Sequence, residues 1–120
     1  MIVLVPVNRD RETVCPSFGH APYFYLVDAG GDGTRIVENP AANDEGGAGI
    51  RAARAVVRLR ADAVVTPLLG ENAAKLLRDA GIGLFRPESD DARTNVGAML
   101  AGALEPLTEL HTGLRVEGGS

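Results

Sequence analysis

The chain has 120 residues and a formal net charge of −4, with a pI near 5.1; this is enough for one domain with its own core, and the acidic balance argues against a nucleic-acid grip, which needs a basic footprint. Hydrophobic residues make up 45% and charged residues 23%, but aromatics only 4% and Trp is absent, so the core must be built from Val, Leu, Ile and Ala. No apolar run approaches the roughly 18 residues of a membrane span, and Met1-Ile2-Val3 lacks the basic start of a signal peptide, so a cytoplasmic location is expected.

Ile2–Val7 is a continuous, largely β-branched run, which predicts a central strand buried on both faces. Pro6 stands near its end, where a missing N–H matters least. Tyr23–Asp28 is the next strand-forming run. Gly30-Gly31-Asp32-Gly33 is a hairpin signal, returning the chain as Thr34–Glu38, whose partly alternating pattern suits an edge. The first half is therefore expected to be an antiparallel meander.

The period then changes. Ile50, Ala53, Val56 and Val57 fall at helical spacing, with Arg51, Arg54 and Arg58 on another face. Ala63–Thr66 reads as a short buried strand. Glu71–Asp79 reads as a helix with Ala73, Ala74, Leu76 and Leu77 inward and Gly81 as its C′ stop. Ile82–Phe85 is a last strand, and Ser89-Asp90-Asp91 a capping cluster for a helix running to Gly102. A short helical turn is expected near Leu107–Leu110 and a frayed tail over 108–120. Tight strand–helix–strand–helix spacing implies parallel strands with right-handed crossovers. The expectation is an α/β, ribonuclease H-like three-layer fold. Its five-stranded mixed sheet has strands one to three antiparallel, strands four and five parallel, and three helices, in one domain over 1–107. Nuclease chemistry is excluded, because the converging carboxylates that two-metal phosphoryl transfer requires are missing.

The connection between the first two strands, Val14–Phe24, holds a cysteine, a histidine, two prolines and a glycine, and long connections on rigid scaffolds tend to carry function. The second landmark is Glu38-Asn39-Pro40-Ala41 followed by Gly46-Gly47-Ala48-Gly49-Ile50, a glycine-rich start to a helix. Such a start presents unpaired N–H groups and the positive end of the helix dipole, an anion site. Asp44 and Glu45 just upstream also satisfy that dipole, so plain capping and tight packing explain the same residues. It is neither a P-loop nor a dinucleotide fingerprint. Cys15, the lone cysteine, excludes an intramolecular disulfide and fits a reducing compartment.

Taken together, these landmarks resemble the dinitrogenase iron–molybdenum cofactor biosynthesis family. The resemblance rests on Ile2–Val7, Phe18-Gly19-His20-Ala21-Pro22-Tyr23-Phe24, Val27-Asp28, Val37-Glu38-Asn39-Pro40-Ala41, Gly46–Ile50, Gly70-Glu71-Asn72-Ala73 and Asp79-Ala80-Gly81-Ile82. These run in the family's order over 1–107. The chain departs from the family pattern at Pro67-Leu68-Leu69 and at Glu71.

The resemblance implies a small non-enzymatic carrier of an iron–sulfur or iron–molybdenum-type cluster, or a precursor, with an assembly or acceptor protein as partner and no part for nucleic acid or membrane. Phe18, Gly19, His20, Gly46, Gly47 and Gly49 are the expected cofactor-binding residues, with His20 and Cys15 as metal ligands. Soft thiolate and imidazole donors suit iron, and two donors leave the open positions a carrier needs, since stable clusters normally take four protein ligands. The bland readings are a loop histidine bonded to a backbone carbonyl, a free loop thiol, and a solvated arginine face on the helix. His111 is read as a surface residue. A metal-free protein-interaction or regulatory module of the same fold is the alternative function. An enzyme acting on a small anionic metabolite at the glycine-rich turn ranks below both, since no nucleophile has an activating base.

Overall fold

The computed structural model describes residues 1–31, 33–108 and 110. The elements follow in the order β1 (Ile2–Val7), β2 (Tyr23–Asp28), β3 (Gly33–Glu38), α1 (Ala48–Arg58), β4 (Ala63–Val65), α2 (Glu71–Asp79), β5 (Gly83–Phe85) and α3 (Ala92–Leu100). They build a five-stranded sheet of order β3-β2-β1-β4-β5. β1 pairs antiparallel with β2 from Ile2↔Asp28 to Val7↔Tyr23, and β2 pairs antiparallel with β3. β1–β4 and β4–β5 are parallel. No helix among the described residues is long and apolar enough to cross a membrane.

The period-2 geometry of a strand divides β1 between two cores. Leu4, with Phe24 and Leu26 of β2 and Val64 of β4, packs under α1 and α2. Val3, Val5 and Val7, with Val65, pack under Ala92 and Val96 of α3. A strand with a helical layer on each side must be apolar at every position, as Ile2–Val7 is. β3 forms an edge of the sheet and is largely exposed.

Local signals set the ends of the elements. Asp91 caps α3, its carboxylate accepting from the backbone N–H of Thr94 at 2.9 Å. Gly81 and Gly102 follow α2 and α3 with φ of 81° and 75°, the left-handed conformation that closes a helix at low steric penalty in glycine.

Two expectations need correction. The buried face of α1 is Ala48, Ala52, Ala53, Ala55 and Val56, whereas Val57 is exposed and Ile50 only half-buried. α1 lies against the sheet and α2 together, and there the small alanine side chain permits an approach that a larger residue would prevent. Pro106 and Leu107 also do not enter a helical turn. Pro106 bridges Phe85, and the Leu107 N–H donates to the Leu84 carbonyl at 2.9 Å. The open edge of β5 offers backbone partners, and Leu107 gains burial in the core beside it. Residue 109 and residues 111–120, His111 among them, lie outside the described residues, and with them most of the expected frayed tail.

Candidate functional site

The loop after β1 is not slack. The Asp10 carboxylate accepts from the N–H groups of Glu12 and Thr13, each at 2.9 Å, and from the Thr13 hydroxyl at 2.7 Å. The Thr13 N–H bond is the main cause holding Asp10 below the usual carboxylate range. Thr13 and Val14 then run back alongside β1 and the start of α3, bridging Asp91 and Val7. The Cys15 N–H donates to the Pro6 carbonyl at 2.9 Å. Beyond it Phe18 is buried, its ring stacked on Phe24 with centroids 5.9 Å apart and planes at 26°. Phe18 therefore anchors the loop in the core and leaves Gly19 and His20 at the surface end of the sheet.

Gly19 lies against the start of α1. A Cβ there would stand 2.9 Å from the Gly49 nitrogen and 3.1 Å from the Ala48 carbonyl carbon, so the position needs glycine for close backbone approach. His20 is exposed, and its Nε2 lies 2.9 Å from the Asp44 carbonyl oxygen. The Asp44 carboxylate in turn pairs with Arg51 Nη1 at 2.8 and 3.0 Å.

A cleft of about 480 Å³ opens here, lined by the loop from Pro16 to His20, the α1 start Gly47–Ile50, and Leu68–Ala73 at the start of α2. Both helices begin with glycine at the N-cap position, Gly47 and Gly70, and neither cap receives a side-chain hydrogen bond. The first-turn N–H groups of a helix have no partner within the helix, so two positive helix ends with no side-chain cap meet in one concavity. The location follows from the topology. The cleft lies beyond the carboxyl ends of neighbouring parallel strands β1 and β4, whose connections depart to opposite sides, to β2 and to β5. A crevice at such a switch point is where open α/β sheets bind ligands.

Among the expected site residues, Phe18, Gly19, His20, Gly47 and Gly49 line the cleft; Gly46 and Cys15 do not. Cys15 is buried, its thiol directed to the Ser17 carbonyl at 3.5 Å. The α2 start, Gly70 to Ala73, is the part of the site that sequence reasoning left out of its binding set; its signal was the second glycine placed just before a helix. Among the described residues, no group of three or more His, Cys, Asp and Glu is placed to hold a metal ion. The donor set therefore suits a bound anion more than a metal enclosed by protein ligands. Glu71, in the first turn of α2, adds a carboxylate to the cleft wall.

Several solved structures share this architecture. The apo form of the orange protein from Desulfovibrio gigas matches with a TM-score of 0.79 and 29% identity, covering 89% of this chain and 92% of that one. A candidate NifB protein from Thermotoga matches with a TM-score of 0.75 and 27% identity, over 93% of this chain and 97% of that one. A candidate dinitrogenase from Methanocaldococcus jannaschii, at 21% identity and a TM-score of 0.68 over 90% of this chain and 95% of that one, shares the fold. No curated protein matches the chain. The family model described as dinitrogenase iron-molybdenum cofactor matches residues 1–102, which hold the whole sheet, the three helices and every wall of the cleft. The chain belongs to the dinitrogenase iron-molybdenum cofactor family.

Proposed function

We propose that the protein is a non-enzymatic carrier that takes an anionic iron–sulfur or iron–molybdenum-type cluster, or a precursor of one, into the cleft between the Phe18–His20 loop and the starts of α1 and α2, and passes it to an assembly or acceptor protein. The observation that carries this reading is the convergence of two helix N-termini without side-chain caps on one cleft. N–H groups held by rigid helices bind an anion without reorganising. His20 is the soft donor in the cleft wall, and a single protein ligand leaves a cluster labile, as transfer requires. Cys15 joins as a second ligand only if its segment turns outward from Ser17. The non-enzymatic part of this reading is supported by the lining, whose titratable side chains are His20 and Glu71, a set without the nucleophile-and-base pair that covalent catalysis uses.

The metal-free interaction module of the same fold is supported by a different observation. Leu68 is 49% exposed at the cleft rim, an apolar contact of the kind a protein partner would cover.

Anaerobic incubation with iron, sulfide and molybdate under reconstitution conditions, followed by metal quantification and paramagnetic spectroscopy, decides between the two. Sub-stoichiometric uptake that disappears in His20→Ala supports the carrier; no uptake by folded protein refutes it and favours the interaction module.

A further inference from the structure

The carboxamide of Asn39, only 4% exposed, is engaged on every side. Its Nδ2 donates to the carbonyls of Gly19 and Ala21, each at 3.0 Å, and its Oδ1 accepts from the Ala41 N–H at 2.9 Å. Those two carbonyls belong to the residues on either side of His20. A buried side chain from the segment after β3 therefore grips the backbone of the β1–β2 loop around the imidazole.

The ring has its own restraint. A carbonyl oxygen only accepts, so the 2.9 Å contact with Asp44 makes Nε2 the N–H donor. In the neutral ring the lone pair then lies on Nδ1. Asp44 is fixed by Arg51, whose Nη1 contacts both carboxylate oxygens and also donates to the Pro40 carbonyl at 2.8 Å. Arg51 thus ties the first turns of α1 to the Asn39-Pro40-Ala41 segment and holds in place the carbonyl that receives the histidine proton.

We propose that Asn39 and the Arg51–Asp44 pair are positioning residues that present His20 in a single state, with Nε2–H bonded to Asp44 and Nδ1 as the atom that meets the metal of the cargo. The proposal rests on the carrier reading and specifies its ligand atom. A histidine whose second nitrogen donates to a fixed carbonyl has its tautomer and ring orientation set before it binds. Removing such a partner typically weakens metal binding by about 10- to 100-fold.

The test begins on the cargo-free protein, with ¹⁵N-labelled histidine and two-bond proton–nitrogen correlation to read which ring nitrogen of His20 carries the proton. The expected result is the Nε2–H tautomer in the wild type and a mixture of tautomers in Arg51→Met, whose side chain keeps similar length and helix propensity but donates nothing. Asn39→Asp places an acceptor against two carbonyls and is the second variant; amide spectra establish that each variant is folded. Because Arg51 is largely exposed, Arg51→Met remains informative even if Asn39→Asp does not fold.

Anaerobic loading with iron and sulfide then follows. Uptake about 10- to 100-fold weaker in folded Arg51→Met, with partial recovery in Arg51→Lys, supports the proposal. A wild-type Nδ1–H tautomer, or equal uptake by wild type and Arg51→Met, overturns it while leaving the carrier reading intact. No uptake by the wild type overturns the carrier reading itself and the ligand assignment with it.

Discussion

Replacing Gly49 with alanine should strengthen the fold and weaken cargo binding at once. Gly49 stands in the first turn of α1 and lines the cleft, and a Cβ built there meets only the Ala73 Cβ, at 3.7 Å, an ordinary van der Waals contact. Alanine in a helix is favoured over glycine by about 0.5–1 kcal/mol, because the unfolded chain has less freedom to lose. A single new methyl–methyl contact adds only about 0.1–0.2 kcal/mol. For a domain of this size the sum corresponds to a rise in Tm of about 2–8 °C. The same methyl, however, projects between the starts of α1 and α2, where the N–H groups would meet an anion. Losing one hydrogen bond to a charged ligand, about 1.5 kcal/mol at the low end, corresponds to roughly tenfold weaker uptake. Differential scanning calorimetry and anaerobic metal-uptake titration on the same preparation read both effects. Opposite signs cannot come from general unfolding. Unchanged or stronger uptake in the stabilised variant would refute the placement of cargo between the two helix starts, and a lower Tm would refute the packing on which the estimate rests.

Gly19→Ala should act differently, because its Cβ meets the backbone of α1 at 2.9 Å, which cannot rotate away. Overpacking of this kind costs about 1–3 kcal/mol, so urea unfolding should show a lower midpoint together with reduced uptake; wild-type stability would contradict the close approach. Asp91 is held below the ordinary carboxylate range, first by the Thr94 side chain and then by its backbone N–H. A depressed folded pKa means that the cap contributes above the unfolded value, near 3.8, and is lost as pH falls through the lower folded value. Asp91→Asn should accordingly flatten the acid limb of Tm against pH while leaving the neutral plateau nearly unchanged, since Asn also caps helices well. An acid limb as steep as that of the wild type would show that Asp91 does not contribute to it.

The elements were legible in the sequence wherever a residue's local chemistry had one physical solution. Ile2–Val7, apolar at every position, can only be a strand covered on both faces. Gly81 and Gly102 mark helix ends because a left-handed residue is least strained as glycine, and Asp91 marks a start because its carboxylate reaches an unpaired N–H. The inward face of α1 was less legible: hydrophobicity alone favours Val57 over Ala52, yet the space between the sheet and α2 admits alanine. The path of Pro106 and Leu107 was equally hidden, since it depends on the edge that β5 leaves open.

The candidate site divides along the same line. Gly19, His20 and the glycines before Ala48 and Glu71 announce turns and helix starts by residue type, because backbone freedom and unpaired N–H groups are properties of a few consecutive residues. Tertiary structure alone decided that both helix starts face one cleft, that Cys15 turns away from it, and that Asn39 and Asp44 converge on His20 from 19 and 24 residues along the chain. Those relations depend on strand order and on how close α1 and α2 can approach, quantities that no local stretch of sequence contains.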